Sequence, residues 1–197
     1  MKRFIIPVLL CLIAISASAK GEIDPKYGIG AVPVNENGRV YFTDATEIPS
    51  DMTAGQCYDI LLKWAKGRFA KPYVQAGRII SENSESQRFV FHVDQTITFK
   101  RTALVLDASR IEYNYSVSIR DGKVSATMTD IKYRYEEGRE NGGLAFTAED
   151  WITDKEAFNA KKTKFLKSTG KFRIKTIDLK DNIFQSLKEA LDNNGKN

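Results

Sequence analysis

The sequence predicts an α+β protein in which a curved antiparallel sheet carries two helices. Three observations indicate this class. Residues 88–100 alternate between apolar and polar side chains, residues 113–135 contain a hairpin signal, and two stretches have apolar residues at helical spacing. Alternation of this kind leaves one face of a strand buried and the other in water, which is typical of antiparallel sheets.

The first 19 residues have the pattern of a secretory signal peptide. A basic pair precedes an apolar run, and Ala17-Ser18-Ala19 offers small residues where a signal peptidase cleaves. The apolar run is shorter than the roughly 20 residues that a membrane-spanning helix needs. We therefore expect cleavage before Lys20, an exported periplasmic or extracellular protein, and no transmembrane segment.

The remaining 178 of the 197 residues are enough for one domain with a real core. Residues 1–19 hold two of the thirty basic residues and no acid, so the formal charge falls from +5 to +3 on cleavage. Only Cys57 is then left, which excludes an intramolecular disulfide. We divide the chain into an irregular Gly- and Pro-containing leader at 20–38 and a single domain at 39–192.

The first elements of the domain are a strand and a helix. Residues 39–47 place Val40 and Phe42 on one face of a strand. Thr53 and Gln56 match a capping box, in which each side chain satisfies a backbone donor at a helix start. The apolar stripe that follows predicts a helix ending near residue 70, with the thiol of Cys57 buried and inert.

A hairpin occupies the middle of the chain. Asp121-Gly122 is a strong signal for a two-residue type I′ turn, because both central residues must accept positive φ. Such a turn pairs Val117 with Ala126 and Tyr115 with Met128, so that all the apolar pairs share one face.

The same register fails beyond Met128, where it would set Tyr113 against Asp130 on the core side. One extra residue near Asp130 restores the pattern and brings Ile111 opposite Tyr133. We therefore predict a β-bulge there, which bends the strand and curves the sheet.

The last third of the chain is polar and then basic. Residues 136–150 read as a long polar connection, and Asp178 is predicted to cap a final helix. Between them, the basic segment at 153–175 carries eight Lys or Arg against two acids. The candidate binding residues in it are Lys161, Lys162, Lys164, Lys167, Lys171, Arg173 and Lys175.

Two interpretations of the basic segment remain open. Phe158, Phe165 and Phe172 recur every seven residues among the cations, and such a mixture can bind an anionic glycan or lipid headgroups. Alternatively, the phenylalanines dock the segment onto the domain while the lysines stay solvated.

The stretches "GRVYFTDATEIP" and "LLKWAKGRF", followed by an antiparallel meander, resemble a family of exported bacterial proteins. That family carries a domain of unknown function with a TATA-box-binding-protein-like (TBP-like) fold. The resemblance covers about residues 39–135 and implies the order β-α-β-β-β-β-α, with both helices on one face of the sheet. It implies no catalytic residues, and the fold alone does not import DNA binding.

Signs of catalysis and metal binding are sparse. His92 is the only histidine, which leaves too few His and Cys ligands for zinc, and we expect no cofactor. His92 and Asp94 share a polar strand face that Ser116 and Ser118 of a neighbouring strand could join. Side chains two residues apart on a strand lie about 7 Å apart, however, which is poor geometry for an acid that must hold an imidazole.

The favoured hypothesis is thus an exported, non-catalytic binding or interaction module that uses the open sheet face or the basic segment. Its expected partner is an anionic glycan, a lipid headgroup or an envelope protein, and not nucleic acid. One alternative is a carrier of small apolar ligands, with a pocket between sheet and helices lined by Trp64, Phe91 and Tyr115. A third and weaker alternative is a hydrolase that uses His92.

Overall fold

The computed structural model describes residues 23–140 and 142–194. The predicted signal peptide and its cleavage site lie outside the described residues. The part of the leader that is described has an irregular backbone with one 3-10 turn at Pro25–Tyr27. It nevertheless packs onto the domain, because Val32 is buried in the core.

In the described part of the chain, six antiparallel strands form one sheet. They are β1 (Phe42–Glu47), β2 (Val74–Asn83), β3 (Arg88–Arg101), β4 (Leu106–Arg120), β5 (Lys123–Tyr135) and β6 (Leu144–Thr147). The strand order is β1-β5-β4-β3-β2, and β6 pairs with the outer edge of β5 beyond the end of β1.

Two long helices pack on the core face of this sheet. α1 (Ala54–Arg68) begins at the predicted capping box of Thr53 and Gln56, and it contacts α3 (Gly170–Asp192). The expected start of the last helix at Asp178 is wrong. The buried stripe of α3 continues back to Phe172 because Thr176 and Ile177 are also buried, so Asp178 lies two turns inside the helix.

The predicted polar connection at 136–150 also needs correction. It contains β6 and the short helix α2 (Ala148–Trp151), which Thr147 and Asp150 begin with a second capping box. The strand order along the chain is therefore extended by one strand and one short helix. β6 has only four residues, which is too few for a periodic pattern, and it forms by pairing with β5.

The hairpin is confirmed in detail. Asp121 and Gly122 have φ values of 53° and 74°, and Tyr115 faces Met128 as predicted. The bulge is at Asp130, whose φ is 54°, and the strands resume their pairing with Ile111 opposite Tyr133. Two residues on β5 therefore share one place opposite β4, as expected for a bulge.

A close approach joins β2 to the end of α1. A Cβ atom at Gly77 would lie 2.2 Å from the Phe69 carbonyl oxygen, so only glycine fits there without a backbone shift. This contact places Arg68, the last residue of α1, beside the sheet.

Candidate functional site

Four of the predicted binding residues lie in a compact turn before α3. The backbone N–H of Asn159 donates to the Lys164 carbonyl at 3.0 Å. The side-chain Oδ1 of Asn159 accepts from the backbone N–H of Thr163 at 2.8 Å. These bonds close residues 159–167, which we call the lysine loop, into a hydrogen-bonded turn.

The lysine loop presents its cations to solvent. Its four lysines, Lys161, Lys162, Lys164 and Lys167, are all exposed. Within residues 23–140 and 142–194, none of them forms a salt bridge, and Leu166 is exposed between two of them. Their charges are therefore free to meet an anionic partner.

The phenylalanines hold this loop on the domain. The rings of Phe158 and Phe165 stack at 4.7 Å, and Phe158 and Phe172 are buried. Anchoring by phenylalanine and solvation of lysine therefore occur together, and the two interpretations of the basic segment are compatible.

Arg173 requires a correction, because its side chain is fully buried in the first turns of α3. Its Nε donates to the Tyr27 carbonyl at 2.8 Å, its Nη1 donates to the Ile152 carbonyl at 2.8 Å, and its Nη2 lies 2.8 Å from Asp154. Burial lowers the pKa of Arg173, with the charge of Asp154 opposing that shift. Arg173 ties the leader to α3 and is not available to a surface ligand.

Lys171 is also committed to an internal contact. Its Nζ donates to both Asp107 carboxylate oxygens, at 3.0 and 2.8 Å, and to the Tyr135 hydroxyl at 2.9 Å. The ammonium group lies 4.5 Å from the centre of the Phe99 ring. This contact joins the start of α3 to the start of β4. Lys175, one turn further along α3, is partly exposed beside β3.

The residue patterns did not predict an apolar feature that lies at the same end of the sheet. Residues 102–106, which are the turn between β3 and β4 and the first residue of β4, expose Leu104 by 95%, Val105 by 50% and Leu106 by 64%. The Thr102 amide closes the turn by donating to the Val105 carbonyl at 2.8 Å. We call it the apolar turn. Its run of four apolar residues was the available signal, but it resembles the continuation of a strand.

An ion pair between Asp107 and Lys171 links the apolar turn to the segment that contains the lysine loop. Asp107, which directly follows the turn, binds Lys171, which follows the lysine loop by four residues. Lys100 and Arg101, immediately before the turn, are exposed. The Asp107–Lys171 ion pair therefore links the exposed leucines of the apolar turn to the segment that carries the lysine loop, whose lysines form no salt bridge among the described residues.

The open sheet face does not assemble the suspected triad. The Nδ1 of His92 lies 3.1 Å from the Asn114 amide oxygen, and its Nε2 lies 3.9 Å from Glu112. Ser116 pairs with Val90 in the sheet and not with His92. The bulge-side carboxylate of Asp130 accepts from Asn114 at 2.8 Å, which completes a hydrogen-bonded polar surface.

Asp94 is likewise engaged, by the guanidinium of Arg110, which also lies 3.4 Å from Glu137. The hydrogen bonds to Asp94 raise the pKa of the Arg110 guanidinium, and burial opposes this shift. Asp94 is therefore held by Arg110 and not by His92.

The interior that the carrier alternative requires is filled by aromatic rings. Phe69 lies between Phe91 and Tyr115, at centroid distances of 5.2 and 5.7 Å, and Trp64 and Phe184 lie 6.1 and 6.0 Å from Tyr115. Of the three residues expected to line a pocket, Phe91 and Tyr115 are buried in the packed core, and Trp64 packs against it while lining an open groove between α1 and α3.

The described residues, 23–140 and 142–194, contain no group of three or more His, Cys, Asp or Glu side chains placed to hold a metal ion. Within them, no helix is long and apolar enough to cross a bilayer.

The antiparallel sheet with α1 and α3 on one face defines an α+β protein of the TBP-like class. Residues 42–134 match the model of a domain of unknown function (DUF4468) with TBP-like fold. A DUF4468 family protein from Bacteroides ovatus is 30% identical, with a TM-score of 0.77 over 86% of this chain and 95% of that chain. This chain belongs to the DUF4468 family.

A second solved structure supports the fold alone. A TBP-like protein from Parabacteroides distasonis is 21% identical, with a TM-score of 0.65 over 82% of this chain and 97% of that one. A search of curated proteins returns no match to the chain.

Proposed function

We propose that this protein is an exported, non-catalytic interaction module that attaches to an anionic lipid surface. The single observation that carries the proposal is the Lys171–Asp107 ion pair, which joins the residue just after the apolar turn to the start of α3, four residues after the lysine loop. Lysines of the loop would meet the lipid phosphates, while Leu104 and its neighbours would enter the interface between headgroups and acyl chains.

The chemistry of this end of the protein favours lipid over the other anionic partners. A soluble glycan is bound by polar groups that form hydrogen bonds with its hydroxyls, and three consecutive exposed aliphatic side chains do not provide such bonds. Peripheral attachment to membranes, in contrast, combines buried apolar area with electrostatic attraction. Each Lys or Arg close to an anionic bilayer contributes about 1 kcal/mol.

The test is co-sedimentation with vesicles of phosphatidylcholine, with and without phosphatidylglycerol. The protein should bind only the anionic vesicles, and binding should weaken as salt rises because exposed charges are screened over about 10 Å at 0.1 M. Changing Lys161, Lys162, Lys164 and Lys167 to Glu should weaken binding at least tenfold. Leu104→Ser should weaken it without changing the salt dependence.

A control with the same change in charge uses exposed lysines far from this end: Lys63, Lys66, Lys71 and Lys123 to Glu. It should bind nearly as well as the natural protein. Equal losses in both variants would reduce the interaction to net charge and contradict the proposal. Binding to an anionic polysaccharide such as polygalacturonate, but not to vesicles, would replace the lipid by a glycan.

A second prediction concerns His92 and separates this function from the hydrolase alternative. Catalysis near neutral pH most often recruits histidine, but His92 here contacts Asn114 and Glu112 on a solvated face. His92→Ala should remain folded, with a melting temperature close to that of the natural protein, and should keep its vesicle binding. Loss of the cellular role in this folded variant, with the lysine variant silent, would point to an enzyme.

A further inference from the structure

A shallow groove, open to solvent, lies at the C-terminal end of α1. It has a volume of about 410 Å³ and lies between β3, the segment before β2, and α3. Its walls include Arg68, Tyr73, Gln95, Lys175 and Asn182.

Gln95 is the most unusual of these residues. It lies on the core face of β3 between Val93 and Ile97, where every other inward side chain is apolar, and it is only 3% exposed. Its Oε1 atom has no hydrogen-bond partner. A buried acceptor without a partner costs about 1–3 kcal/mol, so its presence on a core face calls for a reason.

Arg68 brings an unpaired donor to the same wall. Its Nη2 donates to the Asn182 side chain at 2.6 Å, but its Nε, which is buried, has no partner. Burial lowers the pKa of Arg68, with the nearby phenols of Tyr113 and Tyr115 opposing the shift. The guanidinium also lies 5.5 Å from the centre of the Tyr73 ring.

The charge of the groove is positive. Besides Arg68 it holds Lys175, and the carboxylate of Asp178 accepts from Lys26 and from the Tyr27 hydroxyl, each at 2.7 Å. That acid is thus already engaged by Lys26 and Tyr27. An anionic ligand would meet two cations, Arg68 and Lys175, beside this one carboxylate.

We propose that this groove binds a small hydroxylated carboxylate of the uronic acid class. The planar guanidinium of Arg68 matches the two oxygens of a carboxylate, and Lys175 adds a second positive charge. The side-chain amides of Gln95 and Asn182 lie in the same wall as candidate partners for the sugar hydroxyls. This site is separate from the lipid-binding end and does not depend on it.

Isothermal titration of the full protein with D-glucuronate tests the proposal, with D-glucose as the neutral probe. Glucuronate should bind and glucose should not. Arg68→Gln should weaken glucuronate binding at least tenfold, because it removes the charge-assisted bonds to the carboxylate. Arg78→Gln, at an exposed arginine of β2, should bind as the natural protein does. Equal binding of glucose and glucuronate, no binding of either, or an unaffected Arg68→Gln would overturn the proposal.

Gln95→Met gives a second readout that a merely structural role would not produce. It replaces an unpaired buried amide by an apolar side chain of similar size, so the free protein should melt at the same or a higher temperature. Glucuronate binding should nevertheless fall. A lower melting temperature with binding retained would assign Gln95 to the core and not to the site.

Discussion

Replacing Arg173 by leucine should destabilise the protein by about 3–5 kcal/mol, the usual cost of breaking a buried ion pair on one side. The guanidinium is fully buried and donates to the carbonyls of Tyr27, Gly28 and Ile152 while facing Asp154. Leucine would leave three acceptors and one carboxylate without their partner. Urea unfolding followed by circular dichroism measures the loss directly.

The matched control for this change is Lys175→Leu, on the same helix but partly exposed and, among the described residues, without an ion pair. It should shift the free energy of unfolding by less than about 0.5 kcal/mol. If Arg173→Leu fails to fold, adding Asp154→Leu should restore part of the stability, because the orphaned charge is then gone. An unchanged urea midpoint for Arg173→Leu would show that the buried contacts carry no net stabilisation.

Deleting Ser125 should unfold the domain. The deletion lies between the Asp121-Gly122 turn and the bulge. A shift of one residue turns the following side chains of β5 to the opposite face of the sheet, so Ala126 and Met128 leave the core face. Losing one buried side chain of this size costs about 2–5 kcal/mol. Losing several at once exceeds the 5–15 kcal/mol that holds a typical domain together.

Deleting Asp130 is the matched control for the hairpin. It removes the residue with positive φ and the bond from Asn114, but it leaves Ile131 and Tyr133 facing the core because the bulge was the extra residue. This variant should remain folded with a modestly lower melting temperature. Near-ultraviolet circular dichroism of the tyrosines distinguishes the two deletions, and equal tolerance of both would contradict the observed register.

Local signals explain why parts of the fold were predictable. The capping box of Thr53 and Gln56 and the turn at Asp121-Gly122 satisfy their backbone requirements within a few residues, so tertiary context had little to add. The bulge at Asp130 followed from the same reasoning, because a carboxylate on the core face conflicted with its neighbours. These elements would be recognisable in any chain that carried them.

Other parts depended on contacts between distant residues. β6 is too short for a pattern of its own and exists through pairing with β5. The early start of α3 is set by Phe172, which packs among Phe99, Tyr133 and Phe146 of three strands. Gln95 was not predicted as a site residue, because its neighbours on the core face of β3 are apolar. A polar residue at a core-facing position was the signal that could have identified it.

The sequence by itself determined the α+β class, the hairpin register and a chain rich in lysine before its last helix. Only the tertiary structure decided what each cation in that segment does. Lys161 and Lys167 remain in water, whereas Lys171 binds Asp107 and Arg173 enters the core. The physical reason is that a charge can be buried only where it has partners, and these come from remote parts of the chain. Here they are the carbonyl groups of the leader and the start of β4, which the local sequence around each cation does not predict.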